Sequence, residues 1–174
     1  MPAPDADADD QPDEVLVARF AAGDAPAFDA LYRRHEMRVW RFVRRMVGSD
    51  ALADDLMQDV WFAVARHLPR WRPEARFTTW LFTLARHRVI DQARASRPQV
   101  SIDADDDGPG GIEPLAADSG FGPQRQAQAR EQGRALLAAI EALPSEQREA
   151  FLLQAEGDLS VQEIAEATGT SFET

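Results

Sequence analysis

Helical periodicity is the feature that most limits what this chain can fold into. Apolar residues recur at three- and four-residue steps from Val15 onward, and no stretch alternates apolar and polar residues for long enough to predict a strand. Glycine and proline divide this pattern into helices of ordinary length, at residues 23–26 (GDAP), Gly48, Pro69, Pro98 and Pro144. The chain is therefore predicted to be all-α.

The periodic segments form two groups. The tail 1–14 holds six acidic residues and no basic one, lacks a hydrophobic period and is predicted to be disordered. Helices are predicted over 15–97, and residues 98–123, rich in Gly, Pro and Asp, are typical of a linker. Helices resume over 124–174. The predicted architecture is two small helical domains joined by an acidic flexible linker.

Several functional classes are disfavoured by composition. The chain has no cysteine, so disulfides and thiolate metal sites are excluded and a cytoplasmic location is expected. Its longest apolar run, residues 60–65, is far below the roughly 20 residues that span a bilayer. The N-terminus lacks the features of a signal peptide, so no membrane insertion is expected. Three scattered histidines and the lack of a phosphate-binding loop predict no catalytic residue, metal or cofactor.

Charge is unevenly distributed. The formal net charge is −11 and every basic residue is Arg. Residues 66–97 nevertheless hold eight Arg against Glu74 and Asp91, and the block also contains Trp71, Phe77 and Trp80. A Trp among guanidinium groups is suited to stack on an unpaired base while the arginines hold phosphates. From these residues alone, a solvated arginine face with Trp71 as a hydrophobic plug is an equally good interpretation.

The segment 50–68 is predicted to be a helix with two different faces. Ala53, Leu56, Val60, Ala63 and Val64 form the predicted core face. The other side is acidic and includes two aromatic residues, a composition typical of a protein-docking patch. The alternative is that the aromatic residues contact a neighbouring helix. The residues of this predicted outer face are Asp54, Asp55, Gln58, Asp59, Trp61 and Phe62.

The C-terminal segment predicts a helix, a turn at Gly169 and the start of a new helix. Ser160 and Glu163 have the spacing of a capping box, and Thr170 and Ser171 are candidate caps of the following helix. This order is typical of a helix-turn-helix motif, although helical hairpins of other kinds share it. The printed sequence stops one turn into the second helix, so the domain is predicted to be a helix-turn-helix domain that is cut short.

Together these segments resemble a bacterial RNA polymerase sigma factor of the extracytoplasmic-function (group IV, sigma-70 family) type. The resemblance covers about residues 14–174. It is carried by five segments in order: LVARFAAGDAPAFDALYRRH, DDLMQDVWFAVARHL, WRPEARFTTWLFTLARHRVIDQAR, ALPSEQREAFLL and LSVQEIAEATGTS. It implies an all-α fold with domain 2 over 15–97, domain 4 over 124–174, and a function in promoter-specific transcription initiation.

The resemblance also implies partners and residue roles. The acidic helix resembles the one that docks on the β′ clamp helices of core polymerase. The following loop and helix resemble the element that opens and reads −10 promoter DNA, and the last domain resembles the −35 reader that also contacts the β flap. An anti-sigma factor is a further implied partner. The implied −10 candidates are Trp71, Arg72, Arg76, Phe77, Thr83, Arg86, His87 and Arg94, and the incomplete −35 set is Thr170, Ser171, Glu173 and Thr174.

Two departures from the family pattern affect these expectations. His87 stands where the family often has Asn, so the −10 base preference is left open. The second helix of the helix-turn-helix motif stops after residues 172–174 (FET), so weak or absent −35 binding is expected. The competing hypothesis is a helix-turn-helix regulator that acts without polymerase, but it does not explain why the basic aromatic block lies in the first domain.

Overall fold

The chain folds into helices, as the periodicity predicted. The computed structural model describes residues 10–96 and 123–170, and these contain seven α-helices, a short 3₁₀ turn and no strand. The elements are α1 (Asp13–Ala21), α2 (Ala25–Val47), α3 (Asp50–His67), the 3₁₀ turn (Leu68–Arg70), α4 (Phe77–Ala95), α5 (Pro123–Glu141), α6 (Ser145–Gly157) and α7 (Val161–Thr168).

The helix ends follow the predicted breaks. Helix α2 ends at Gly48, whose φ of 78° lies in the left-handed region that glycine adopts without steric cost. Ser49 then caps α3, where its side chain accepts a hydrogen bond from the Leu52 amide at 3.4 Å. Pro144 precedes α6 and supplies the fixed φ that starts it. The residues at these positions therefore determine where one helix ends and the next begins.

Helix α2 is the centre of the structure. It contacts α1, α3, α4 and α6, and α4 also contacts α3 and α6. The rings of Phe42 on α2 and Phe82 on α4 meet edge to face, with centroids 5.6 Å apart, and both are fully buried. The predicted inner face of α3 is buried as expected. Burial of these apolar faces is the main force that holds the helices together.

Helix α1 begins two residues earlier than the sequence predicted. Residues 13 and 14 were assigned to the disordered tail 1–14, but Asp13 is helical and binds α2. Its Oδ2 lies 2.8 Å from His35 Nε2, and its Oδ1 accepts from Arg34 Nη1 at 2.5 Å. The prediction missed this because the partners lie about twenty residues away. Residues 10–12 of the predicted tail lie just before α1 and are not helical, and residues 1–9 lie outside the described residues.

Helices α6 and α7 pack against the first four helices. Leu152, Leu153 and Leu159 are buried in the same apolar cluster as Phe42 and Phe82. Helix α7 begins with the predicted capping box, in which Ser160 Oγ accepts from the Glu163 amide and Glu163 Oε2 accepts from the Ser160 amide. The predicted linker lies almost wholly within 97–122, outside the described residues.

Candidate functional site

A surface groove of about 580 Å³ runs between α2 and α3. Large apolar and aromatic side chains from both helices line it, together with polar and acidic ones. Uncovered apolar surface rimmed by polar groups is typical of interaction sites, so this groove is a candidate docking site, here called the acidic groove. Its lining residues are Phe28, Tyr32, Glu36, Met37, Trp40, Asp54, Met57, Gln58, Trp61, Phe62 and Ala65.

Helix α3 contributes two polar side chains to the lining of the acidic groove, Asp54 and Gln58, and also carries Asp55 and Asp59, which are not among the lining residues. Asp54, Asp55, Gln58 and Asp59 are all exposed. Trp40 Nε1 on α2 donates a hydrogen bond to Asp54 Oδ1 at 2.8 Å, which ties the two walls together. None of the described residues that line the groove is basic. The groove therefore favours a partner with an apolar face and a cationic rim.

The two aromatic residues of α3 have different environments. Phe62 is 74% exposed, as the sequence predicted. Trp61 was expected on the same outer face, but it is only 6% exposed. Its ring lies between Phe28, at a centroid distance of 6.0 Å, and Tyr32, at 4.8 Å. The expectation of an exposed Trp61 is wrong because the aromatic side chains of α2 extend the core across it.

Helix α2 supplies half of the groove, which the sequence interpretation missed. Phe28, Tyr32 and Trp40 recur at multiples of four residues, so one stripe of α2 carries large rings, and this spacing could have shown it. Met37 is 49% exposed beside them. The pKa of Tyr32 is raised, first by burial and then by the hydrogen bond to Glu36 and its negative charge. Tyr32 therefore remains a neutral hydroxyl in the groove at physiological pH.

The basic aromatic block forms a second surface, the arginine face, defined as α4 and the loop 71–76 before it. Arg72, Arg76, His87 and Arg94 are exposed on it. Trp71 is half-buried and its ring meets that of Phe77 edge to face, at a centroid distance of 6.4 Å. Trp71 thus packs on the core through one side of its ring.

Phe77 itself is not on the surface. It is fully buried at the start of α4, where its ring packs against His35 at 5.5 Å and Trp80 at 6.0 Å between centroids. The sequence placed Phe77 among the DNA-contacting candidates, but its fully buried ring offers no surface to DNA in this conformation. The ring instead supports Trp71.

Three other candidates on the arginine face already have partners. Thr83 Oγ1 donates to the Thr79 carbonyl at 2.7 Å, a bond within the helix. Arg86 Nε donates to Glu149 Oε1 at 2.8 Å, and Arg76 Nε lies 3.4 Å from Glu163 Oε1. Both carboxylates belong to the C-terminal helices. The arginine face is thus partly covered by α6 and α7, which no sequence pattern indicated.

The turn after α7 lies at the glycine that the sequence predicted. Gly169 ends α7 with a φ of 70°, in the left-handed region. The amide of Thr170 donates to the Ala165 carbonyl at 3.0 Å, and Thr170 is exposed. The other three candidates for −35 contact, Ser171, Glu173 and Thr174, lie outside the described residues.

Glu163 has the most perturbed carboxyl group of the C-terminal helices. Its pKa is lowered from 4.5 to about 2, chiefly because Thr79 on α4 donates a hydrogen bond to it at 2.5 Å. The Ser160 amide of the capping box and the charge of Arg76 add to the effect. The carboxylate of Glu163 is therefore stabilised from both sides of the contact between α4 and α7.

Two features are absent from residues 10–96 and 123–170. No helix in these ranges is long and apolar enough to cross a membrane. No group of three or more His, Asp or Glu side chains within them is arranged to hold a metal ion.

Comparison with known protein families gives two matches. Residues 31–98 match the family model of sigma-70 region 2. They include the arginine face and every lining residue of the acidic groove except Phe28. Residues 133–173 match that of sigma-70 region 4.

Individual relatives match over most of the chain. RNA polymerase sigma factor CarQ of Myxococcus xanthus is 34% identical over 158 residues, covering 88% of this chain and 83% of that protein. The sigma factor SigD of Mycobacterium tuberculosis is 31% identical, covering 91% of this chain and 74% of SigD. BldN of Streptomyces coelicolor is also 31% identical, and the match spans 61% of its longer chain.

A solved structure shares the fold. The chain of CnrH, in its complex with the cytosolic domain of CnrY, superposes with a TM-score of 0.60 at 23% identity. The match covers 91% of this chain and 84% of the CnrH chain. At this level of identity the likeness concerns the fold alone.

Proposed function

The chain belongs to the extracytoplasmic-function sigma factors of the sigma-70 family, and we propose that it assigns separate tasks to its two surfaces when it directs RNA polymerase to promoters. The acidic groove binds core polymerase, and the arginine face binds promoter DNA. Relatives along nearly the whole chain are RNA polymerase sigma factors. A regulator that acts without polymerase is not favoured by these relatives. Work with polymerase on chromosomal DNA implies a cytoplasmic location.

The observation that carries the docking proposal is the exposed ring of Phe62 beside an acidic, apolar groove. A side chain that is 74% exposed contributes little to the fold, but it can contribute strongly to an interface. The surrounding carboxylates of Asp54, Asp55 and Asp59 fit a basic partner. The β′ clamp helices of core polymerase are the proposed partner, with an apolar seam in the groove and basic side chains against its rim.

On the arginine face, Trp71 and its neighbours are proposed to hold the opened −10 strand. The half-buried Trp71 ring rests on Phe77, which fixes its orientation and leaves part of it for a base. Base stacking on an aromatic side chain contributes about 1–3 kcal/mol, comparable to the cost of taking a base out of the duplex. Arg72 and Arg94 are exposed and suited to phosphates, and His87 is exposed to contact a base edge.

The C-terminal helices are proposed to read the −35 element and to contact the β flap. Their support is the match to sigma-70 region 4 and the turn at Gly169, with Thr170, Ser171, Glu173 and Thr174 following α7. An anti-sigma factor is a further proposed partner. Its support is the shared fold with CnrH, a protein solved in complex with the cytosolic domain of CnrY.

A pull-down with core RNA polymerase tests the proposal as a whole. The full chain should bind core polymerase, and the assembled enzyme should transcribe a fork template that is already open at −10. Failure of the chain to bind core polymerase, or tight binding to duplex operator DNA without polymerase, would contradict the proposed function. The second outcome would favour the helix-turn-helix regulator.

A further inference from the structure

A histidine is buried where α1, α2 and α4 meet. His35 of α2 is only 2% exposed. Its Nε2 lies 2.8 Å from Asp13 Oδ2 on α1. A carboxylate can only accept a hydrogen bond, so Nε2 carries the hydrogen and donates it. The other ring nitrogen, Nδ1, is buried without a hydrogen-bond partner among the described residues.

This arrangement costs free energy that an apolar ring would not. An apolar ring could fill the same space without leaving a buried nitrogen unpaired. What histidine adds is the bond to Asp13, whose other carboxylate oxygen accepts from Arg34 Nη1 at 2.5 Å. A carboxylate that Arg34 also holds gives the Nε2–H bond a fixed direction, and that bond in turn fixes the plane of the imidazole ring.

The imidazole ring supports the aromatic rings at the start of α4. It packs against Phe77 at a centroid distance of 5.5 Å and an interplanar angle of 58°. Phe77 is fully buried, and its ring meets that of Trp71 at 6.4 Å and that of Trp80 at 6.0 Å between centroids. Aromatic pairs prefer particular relative orientations, so a rotation of one ring disturbs the next. A continuous series of contacts therefore joins Asp13 to Trp71.

Trp71 depends on this support because its own loop offers little. Within the described residues, Trp71 makes no side-chain hydrogen bond, and its ring contact is with Phe77. Inside the loop 71–76, one backbone bond forms, from the Glu74 amide to the Arg72 carbonyl at 2.8 Å. Helix α1 also contacts the 3₁₀ turn that leads into the loop. Helix α1 thus supports the loop at its start through this turn and at its end through His35 and Phe77.

We propose that His35 is a positioning residue for promoter opening: anchored by Asp13, it sets the orientation of Phe77 and thereby the face of Trp71 that receives an unpaired base. The inference rests on the proposed role of Trp71 in holding the −10 strand. His35 is buried and acts only through the rings, which present the indole in one orientation before the base arrives. Preorganisation of this kind raises affinity. Helix α1, which lies outside the match to sigma-70 region 2, is therefore part of the −10 site.

His35→Phe tests the bond to Asp13 rather than the filled volume. Phe keeps a buried ring in the same place, so the fold should remain intact, but the donor to Asp13 is lost. Asp13→Ala removes the same bond from the other side. Because the two variants break one bond, their effects on DNA binding should not add in the double variant. Val43→Ala, at a buried position about two turns further along α2, is the control for lost core packing.

A first measurement follows the tryptophans of the free chain. The chain has four tryptophans, so labelling with 5-fluorotryptophan gives four fluorine NMR signals, each assigned by replacing that tryptophan with Phe. His35→Phe and Asp13→Ala should shift or broaden the signals of Trp71 and Trp80. The signals of the two tryptophans in the acidic groove should stay unchanged. An unaltered Trp71 signal in both variants would overturn the proposal.

The decisive measurement is the affinity of the assembled polymerase for a single-stranded −10 oligonucleotide. Both variants should weaken this affinity about fivefold or more, as expected when the stacking of one base is lost. The affinity of the chain for core polymerase, which is assigned to the acidic groove, should not change. Unchanged oligonucleotide affinity in His35→Phe, or an equal loss in Val43→Ala, would mean that His35 only fills the core.

Failure of this inference is distinguishable from failure of the proposed function. If the wild-type enzyme binds the oligonucleotide and the His35→Phe enzyme binds it equally well, the inference fails and the proposed function stands. If the wild-type chain does not assemble with core polymerase, or the assembled enzyme does not bind the oligonucleotide, the proposed function fails and this inference fails with it.

Discussion

Arg86 of α4 and Glu149 of α6 form an ion pair at 2.8 Å, and both side chains are largely buried. The pair joins a helix that matches sigma-70 region 2 to one that matches region 4. Two parts of the chain that are proposed to read separate promoter elements therefore neutralise each other's charge in this structure.

Asp55→Arg combined with Gln58→Ala should abolish co-purification with core polymerase. The change places a cation on the acidic rim where the proposed partner is itself basic, and like charges across an interface cost affinity. Both side chains are exposed, so the fold should remain intact by circular dichroism. Glu14→Arg, an equal change of charge at an exposed position on α1, is the control. Retained co-purification of the double variant would refute the docking surface.

The two neighbouring rings of α3 should respond in opposite ways to truncation. Trp61→Ala should lower the free energy of unfolding by about 3–5 kcal/mol, because it removes a buried ring from between Phe28 and Tyr32. Phe62→Ala should change stability by less than about 0.5 kcal/mol but weaken polymerase binding about tenfold or more. Urea unfolding and a polymerase titration separate the two effects. A Phe62 variant that bound polymerase normally would remove Phe62 from the interface.

Trp71→Ala should spare polymerase binding and impair promoter opening. The proposed stacking contributes about 1–3 kcal/mol per base, and no other exposed ring in the described loop replaces it. Permanganate reactivity of −10 thymines, measured with the assembled enzyme, should fall sharply. Trp71→Phe keeps an aromatic surface and should restore most of it. Normal reactivity of the alanine variant would mean that Trp71 only packs against Phe77 and does not stack on a base.

Asp13→Asn should destabilise the fold by about 1–3 kcal/mol. The change removes the negative charge of the Asp13 carboxylate and so weakens its hydrogen bonds to the buried His35 and to Arg34. Burial alone would raise the pKa of Asp13, but hydrogen bonds and charge from His35, then Arg34, outweigh it and the pKa is lowered below 3.8. This stabilisation is complete above about pH 4 and is lost as pH falls through the lowered pKa. Stability curves of the two proteins should therefore converge in acid, and a constant difference would contradict the assignment.

Periodicity predicted the helices because local chemistry sets their ends and their widest apolar faces. Gly48 and Pro144 mark real ends, and Val60 lies in the core as its spacing predicted. Trp61 was misplaced because it sits at the edge of that face. Whether an edge position is buried depends on the neighbouring helix, and the rings of α2 cover this one. Helical spacing within α3 contains no information about α2.

The contact of α6 with α2 and α4 could not be predicted from the sequence for a related reason. Arg41 and Glu156 are separated by 115 residues. Each lies on a helix with many charged residues, and charge pairs across such distances leave no repeating pattern. The candidate surfaces could be located from composition and spacing, but their occupancy by other parts of the same chain required the packing of α6 against α2 and α4.

Thr79→Val should raise the pKa of Glu163 from about 2 toward its ordinary value of 4.5, since the hydroxyl of Thr79 is the main cause of the lowering. Val keeps the shape of Thr and removes the donor, and the Ser160 amide should hold the pKa somewhat below 4.5. In the wild type, the Glu163 carboxylate supports the contact between α4 and α7 above about pH 4.5, and this support is lost as pH falls toward 2. The carboxyl carbon of Glu163, followed by NMR against pH, measures both values. Thr83→Val is the matched control, because Thr83 donates to the Thr79 carbonyl within α4. An unchanged Glu163 titration in Thr79→Val would mean that α7 does not rest on α4 in solution.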